Sequence, residues 1–365
     1  MMRAKIVTVA LSSLLLGATS AFAFHDGGVA DCAGCHTMHN SQDGLNITDP
    51  GGHPKLLQAA NSTDMCLSCH AAYGQFLGGT GYGPGGDFYW LTKTFSWTEH
   101  GSLHESTGDS HGHNVISPAN TILADGTLAS APGGTFDSDW LTCTSCHDPH
   151  GNQNFRILYG DDLGPIYVGG RYNFSADAPL AKGDSRRTFV GGGGNETNAQ
   201  HTIYKSGMGD WCANCHTDFH SDNTTDFVHP IGTTLDELAD NYNAYVSTDD
   251  QTGGSQATAY WGLVPFEAVD VDLATVDVNN YTMGPAANDQ VTCVSCHRSH
   301  ASAFPDAGRW FFETTFIEES HPLATDTGAS ADDVANKYYQ YTFVHNQRSL
   351  CNKCHVKDLG DAPNP

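Results

Sequence analysis

Apolar positions along this chain rarely keep one period for long. The first run, Ile6 to Leu16, follows Arg3 and Lys5 and leads to Ala21-Phe22-Ala23. That is the pattern of a secretory signal with an Ala-x-Ala cleavage site, and it is too short to span a bilayer as a permanent helix. Residues 1–23 are therefore expected to be removed, leaving 24–365 as a single domain. No second apolar span follows.

Beyond it, helical spacing is clearest at Leu235, Leu238, Tyr242 and Tyr245, where Thr234-Leu-Asp-Glu237 reads as a capping box opening the helix. A second helix is predicted from about Ala331 to Tyr341. Alternation at Val269, Val271 and Leu273 predicts a short strand. Between these, Gly78 to Gly86 and Gly191 to Gly194 are nearly pure turn material. With 40 glycines and only 39% hydrophobic residues, the chain is expected to be coil-rich, with short helices and few short strands.

Such a chain needs something other than side chains to fill its core, and its cysteines supply the candidate. All 12 fall in Cys-x-x-Cys-His motifs: Cys32/Cys35/His36, Cys66/Cys69/His70, Cys143/Cys146/His147, Cys212/Cys215/His216, Cys293/Cys296/His297 and Cys351/Cys354/His355. This is the attachment signature of c-type haem: two thiols on one helical turn meet the vinyl groups and the adjoining histidine reaches the iron. Zinc knuckles would not need the histidine, a thioredoxin-like site would need a βαβ pattern, and a disulfide scaffold leaves six histidines unexplained. Six haems share the 342 residues after residue 23, roughly 57 each, too few for separate domains. The expected fold is a multihaem cytochrome whose chain wraps a closely packed row of haems. First cysteines are spaced 34, 77, 69, 81 and 58 residues apart, so the haems are not one per repeat of a solenoid.

The formal charge of −25 makes nucleic acid and anionic membrane poor partners. Cations, oxidised metal species and basic redox proteins suit it better, although an acidic surface also serves solubility outside the cell.

A closed electron-transfer haem needs a second axial ligand. His39, His150, His220 and His300 lie just beyond attachment histidines. A residue three or four positions on cannot reach round the porphyrin, so each is placed to serve a neighbouring haem. Met38, Met65, Met208 and Met283 are the competing ligands, but the histidines beside the motifs favour bis-histidine, lower-potential irons.

Residues 24–41, Pro84–Phe88, Gly112–Asn114, Ala131–Thr135, Cys143–Gly151, Trp211–Asp218, His229-Pro230 and Leu350–His355 resemble the hexahaem outer-surface c-type cytochromes that polymerise into extracellular filaments. The resemblance implies bis-histidine ligation throughout, from a pool of His25, His39, His113, His150, His220, His229 and His300. It also implies export through the periplasm, head-to-tail assembly with His39 reaching the Cys293/Cys296/His297 haem of the next subunit, and electron delivery to metal oxides, electrodes, other multihaem cytochromes or partner cells. Additional histidines at positions 53, 100, 104, 111, 201, 321 and 345 depart from the family pattern and leave the ligand set open. The expected role is electron transfer without a catalytic residue. A multihaem oxidoreductase would keep an open iron, often marked by an altered motif, and a monomeric periplasmic shuttle would share the chemistry without the assembly.

Overall fold

The computed structural model describes residues 32–41, 45–48, 52–72, 76–78, 83–163, 167–168, 172–183, 196–220, 231–339 and 341–355. The expected signal segment, His25 and His229 lie outside them, as does the side chain of His220. Among the described residues, regular structure is sparse. There are five short helices: α1 (Cys32–Cys35), α2 (Ser62–His70), α3 (Met208–Ala213), α4 (Glu237–Ala244) and α5 (Ala331–Asn336). Six strands, β1 (Phe95–Glu99), β2 (Ser102–Ser106), β3 (Tyr167–Val168), β4 (Tyr172–Asn173), β5 (Leu180–Lys182) and β6 (Ile203–Ser206), form three separate two-stranded antiparallel ladders. The rest is short 3-10 turns and irregular chain. This is the coil-rich architecture that the composition predicts.

The main apolar core is built from non-contiguous loops. Trp90 and Phe95 meet Tyr242, Leu263, Phe304, Trp310 and Leu350, all nearly inaccessible, and the edges of Cys296 and Cys354 pack against this cluster. Two of the six attachment motifs are thereby anchored on the one large side-chain core.

The predicted helix at 234–245 exists but begins later. Thr234 pairs with Gln290 in an isolated bridge, Asp236 takes a positive φ of 45°, and α4 starts at Glu237 without the capping box. Its apolar face is as expected, with Leu235, Tyr242 and Tyr245 buried. The strand at 269–273 is not formed. The Asp272 carboxylate accepts from the N–H of Ala274 and the hydroxyl of Thr275, an Asx-type turn that takes the backbone away from a ladder. Glu267 makes the bridges instead, to Tyr204 and Gln290. The C-terminal helix, capped by Ser330 and Asp333, ends at Asn336 rather than Tyr341, where Tyr339 turns the chain at φ 56°.

Candidate functional site

Each attachment motif for which the bond is described closes one turn of chain. The N–H of His36 bonds Cys32 O at 2.9 Å, His147 bonds Cys143 O at 3.1 Å, His216 bonds Cys212 O at 3.0 Å, His297 bonds Cys293 O at 3.0 Å and His355 bonds Cys351 O at 2.9 Å. At Cys143 and Cys293 the turn is opened by a serine cap, Ser145 Oγ accepting from the N–H of Thr142 at 3.0 Å and Ser295 Oγ from that of Thr292 at 3.2 Å. At Cys66 it is the end of α2, capped by Asn61.

The first, third and fifth motifs are held by the same backbone cradle. Nδ1 of His36, His147 and His297 donates to the carbonyl oxygens of Lys55, Arg156 and Asp306 at 2.9, 2.8 and 2.7 Å. The following residue, Leu56, Ile157 or Ala307, takes a positive φ of 58°, 53° or 53°. Its carbonyl accepts the N–H just after the histidine, from Thr37, Asp148 or Arg298. Two residues further on, the N–H groups of Gln58, Tyr159 and Arg309 bond the carbonyls of Cys35, Cys146 and Cys296. In the fourth motif His216 Nδ1 donates to Pro132 O at 2.8 Å. A carbonyl can only accept, so Nδ1 carries the hydrogen in all four cases and Nε2 is left as a lone-pair donor to metal.

Three of the predicted second ligands stand opposite attachment histidines. His150 faces His36 with ring centroids 6.4 Å apart, His300 faces His147 at 6.3 Å, and His113 faces His216 at 6.0 Å. Two imidazoles that share one iron from opposite sides would have centroids about 6.2 Å apart, from two metal–nitrogen bonds of about 2 Å and about 1.1 Å from each nitrogen to its ring centre. The chain's own residues therefore fit bis-histidine haem at three motifs. His113 Nδ1 donates to Ser299 O at 2.8 Å, presenting Nε2. The His300 ring lies between Phe88 and Phe76, at 4.7 and 5.3 Å. Burial pushes His113 down to about 4 and His300 down to about 3, so both rings are neutral, as ligation requires.

His39 is exposed, held by its backbone in a turn with Thr37. Several of the additional histidines have other work. His111 is fully buried with Nε2 on Ser106 Oγ at 2.6 Å and Nδ1 on Trp90 O at 2.8 Å. His321 bonds Asp326 and stacks on Trp97, as His104 also does. His201 stacks on Tyr260 at 3.5 Å. The carbonyls of the cradle are the site groups that sequence reading misses, since a backbone acceptor has no residue type; the repeated Thr-Cys-x-Ser-Cys-His at 142–147 and 292–297 is the signal that two motifs share a build.

The cysteine sulfurs, in their thiol form, run through space in chain order. Cys66 lies beside Cys143, and Cys212 beside Cys293. Cys35 is within electrostatic reach of Cys66 and Cys69, Cys146 of Cys215, and Cys296 of Cys351 and Cys354.

Six haem-attachment motifs strung along a coil-rich chain, with crossed histidines between them, define a multihaem c-type cytochrome. The chain is 36% identical to the C-type cytochrome OmcS of Geobacter sulfurreducens over 96% of its own length and 98% of that protein's. It is also similar to two solved structures, the OmcS nanowires from Geobacter sulfurreducens (TM-score 0.75) and the outer membrane cytochrome S filament from the same organism (TM-score 0.78), each at 33% identity and covering 92% of this chain and all of theirs. No family model matches. The chain belongs to the OmcS family of c-type cytochromes.

Proposed function

We propose that this protein carries six covalent c-type haems and conducts electrons along them to acceptors outside the cell, as a head-to-tail polymer. The observation that carries this reading is the set of three histidine pairs at iron-spanning separation, each joining two different motifs or segments. The haems supply one-electron chemistry when bound. The chain supplies the twelve thiols, the Nδ1 anchors that orient the attachment rings, and the second ligands His150, His300 and His113 for the irons at His36, His147 and His216. His25, His39, His220 and His229 remain the pool for the irons at His70, His297 and His355. Crossed ligation brings successive haems close together, and the order of the sulfurs supports a continuous row.

The pattern among the odd motifs supports assembly through His39. His300 of the fifth motif meets the third, and His150 of the third meets the first. Continued by one step, His39 of the first motif meets the fifth motif, Cys293/Cys296/His297, of another copy. Such a contact is heterologous and, where its rotation does not close, builds an open filament. Among the described residues no helix is long and apolar enough to cross a membrane. Delivery to metal oxides or to other multihaem cytochromes belongs to the same reading.

The test is intact mass of the secreted protein together with negative-stain microscopy. Six haems added to the mature polypeptide and extended filaments are expected; five or fewer haems, or only monomers at high concentration, would count against it.

A further inference from the structure

Beside the fifth motif lies a buried ion cluster that neither haem attachment nor axial ligation uses. Arg298 Nη1 donates to Glu196 Oε2 at 2.6 Å, and Arg309 Nη1 stands 3.5 Å from the same oxygen, with side-chain exposures of 0%, 0% and 2% for the two arginines and the glutamate. Arg298 follows His297 directly. Arg309 Nε donates to the carbonyls of Val294 and His297 at 2.5 and 3.2 Å, and its backbone N–H bonds Cys296 O at 2.7 Å. The guanidiniums also reach the carbonyls of Gly83, Pro84 and Gly262, and Arg298 lies 4.1 Å over the Tyr339 ring. Burial opposes ionisation of Glu196, yet the two guanidiniums hold its carboxyl below the ordinary carboxylate range. Arginine keeps its proton in proteins, so two fixed positive charges stand against one negative.

Building on the haem reading above, we infer that the Glu196–Arg298–Arg309 cluster tunes the haem of Cys293/Cys296/His297, its net positive charge raising that haem's affinity for an electron. Reduction takes one electron from a neighbouring haem and turns ferric iron ferrous; no bond breaks and no proton moves, and the site's charge falls by one. A positive charge in a poorly screened interior stabilises that product. Glu267, which accepts from the N–H of Met208 and also faces Cys293, offsets part of the field, so the effect is read as a change on substitution. A cluster acting only as a cross-link would loosen the haem surroundings whichever charge was removed. A tuning cluster gives opposite signs.

The experiment is a redox titration followed by haem absorbance, on the exported haem-loaded protein and its variants. Glu196→Gln is expected to move one of the six transitions upward and Arg298→Met to move the same transition downward, each by about tenfold in the reduction equilibrium, about 59 mV for a one-electron couple. Arg298→Lys leaves it in place. Shifts of one sign in the Gln and Met variants, or none, overturn the inference. If Arg298→Met does not accumulate, an upward shift in Glu196→Gln with none in Arg298→Lys supports it, and any other pairing of those two overturns it. Failure of the haem reading itself is seen separately, as a wild-type mass below six haems.

Discussion

For a single side chain, the question is which imidazole nitrogen is free to meet iron. His150 and His113 each stand opposite an attachment ring, whereas His111, only two residues from His113, has both ring nitrogens bonded inside the protein. His150→Ala is expected to keep six haems but leave the iron at His36 five-coordinate, giving one high-spin haem per chain that binds carbon monoxide. A wholly low-spin spectrum in that variant would show the His36–His150 pairing to be wrong. His111→Ala should do the reverse. It leaves Ser106 and Trp90 O without their buried partner, costing about 1–3 kcal/mol at each group in stability by chemical denaturation, while all haems remain low-spin. Charge and spacing alone do not separate His111 from His113; the hydrogen bond on the second ring nitrogen of His111 does.

Among the elements, two second ligands hang from one close backbone approach. Gly112 pairs with Ala301, the N–H of His113 bonds His300 O at 2.8 Å, and a Cβ on Gly112 would collide with that oxygen and sit 2.6 Å from Ala301 Cα. Neither backbone atom can give way as a flexible side chain would. Gly112→Ala is therefore expected to displace His113 and His300 together, and to give up to two high-spin haems, read by electron paramagnetic resonance. Unchanged low-spin signals would mean that the 112–113 and 300–301 segments are not coupled. The attachment motifs and the nearness of His150 and His300 to other motifs were legible from residue type, because thiol and imidazole chemistry admits few alternatives. The cradles were not: Lys55, Arg156 and Asp306 contribute backbone oxygens and share no side-chain chemistry. The strand expected at 269–273 failed for a related reason, since the alternating Val and Leu were read while the carboxylate of Asp272 that captures the following turn was not.

For the whole molecule, the fold is a scaffold for haems, and among the described residues its one large side-chain core reaches the edges of Cys296 and Cys354. Coil-richness followed from composition, but which loops meet in that core did not, because residues as distant as Phe95, Leu263 and Leu350 carry no shared pattern. In the proposed assembly, the exposed His39 is the group by which one molecule continues into the next. His39→Ala should retain six haems, produce one high-spin haem per chain and shorten or abolish filaments in negative stain; normal filaments with only low-spin haems would remove the coordination link between subunits. The most direct measurement of the central claim is a cryo-electron microscopy map of the filaments proposed for this protein. The account predicts six haems per subunit, His150, His300 and His113 on the irons of His36, His147 and His216, and His39 of one subunit on the iron of His297 in the next. A map in which those three irons take other ligands, or in which His297 is paired within its own chain, would contradict it.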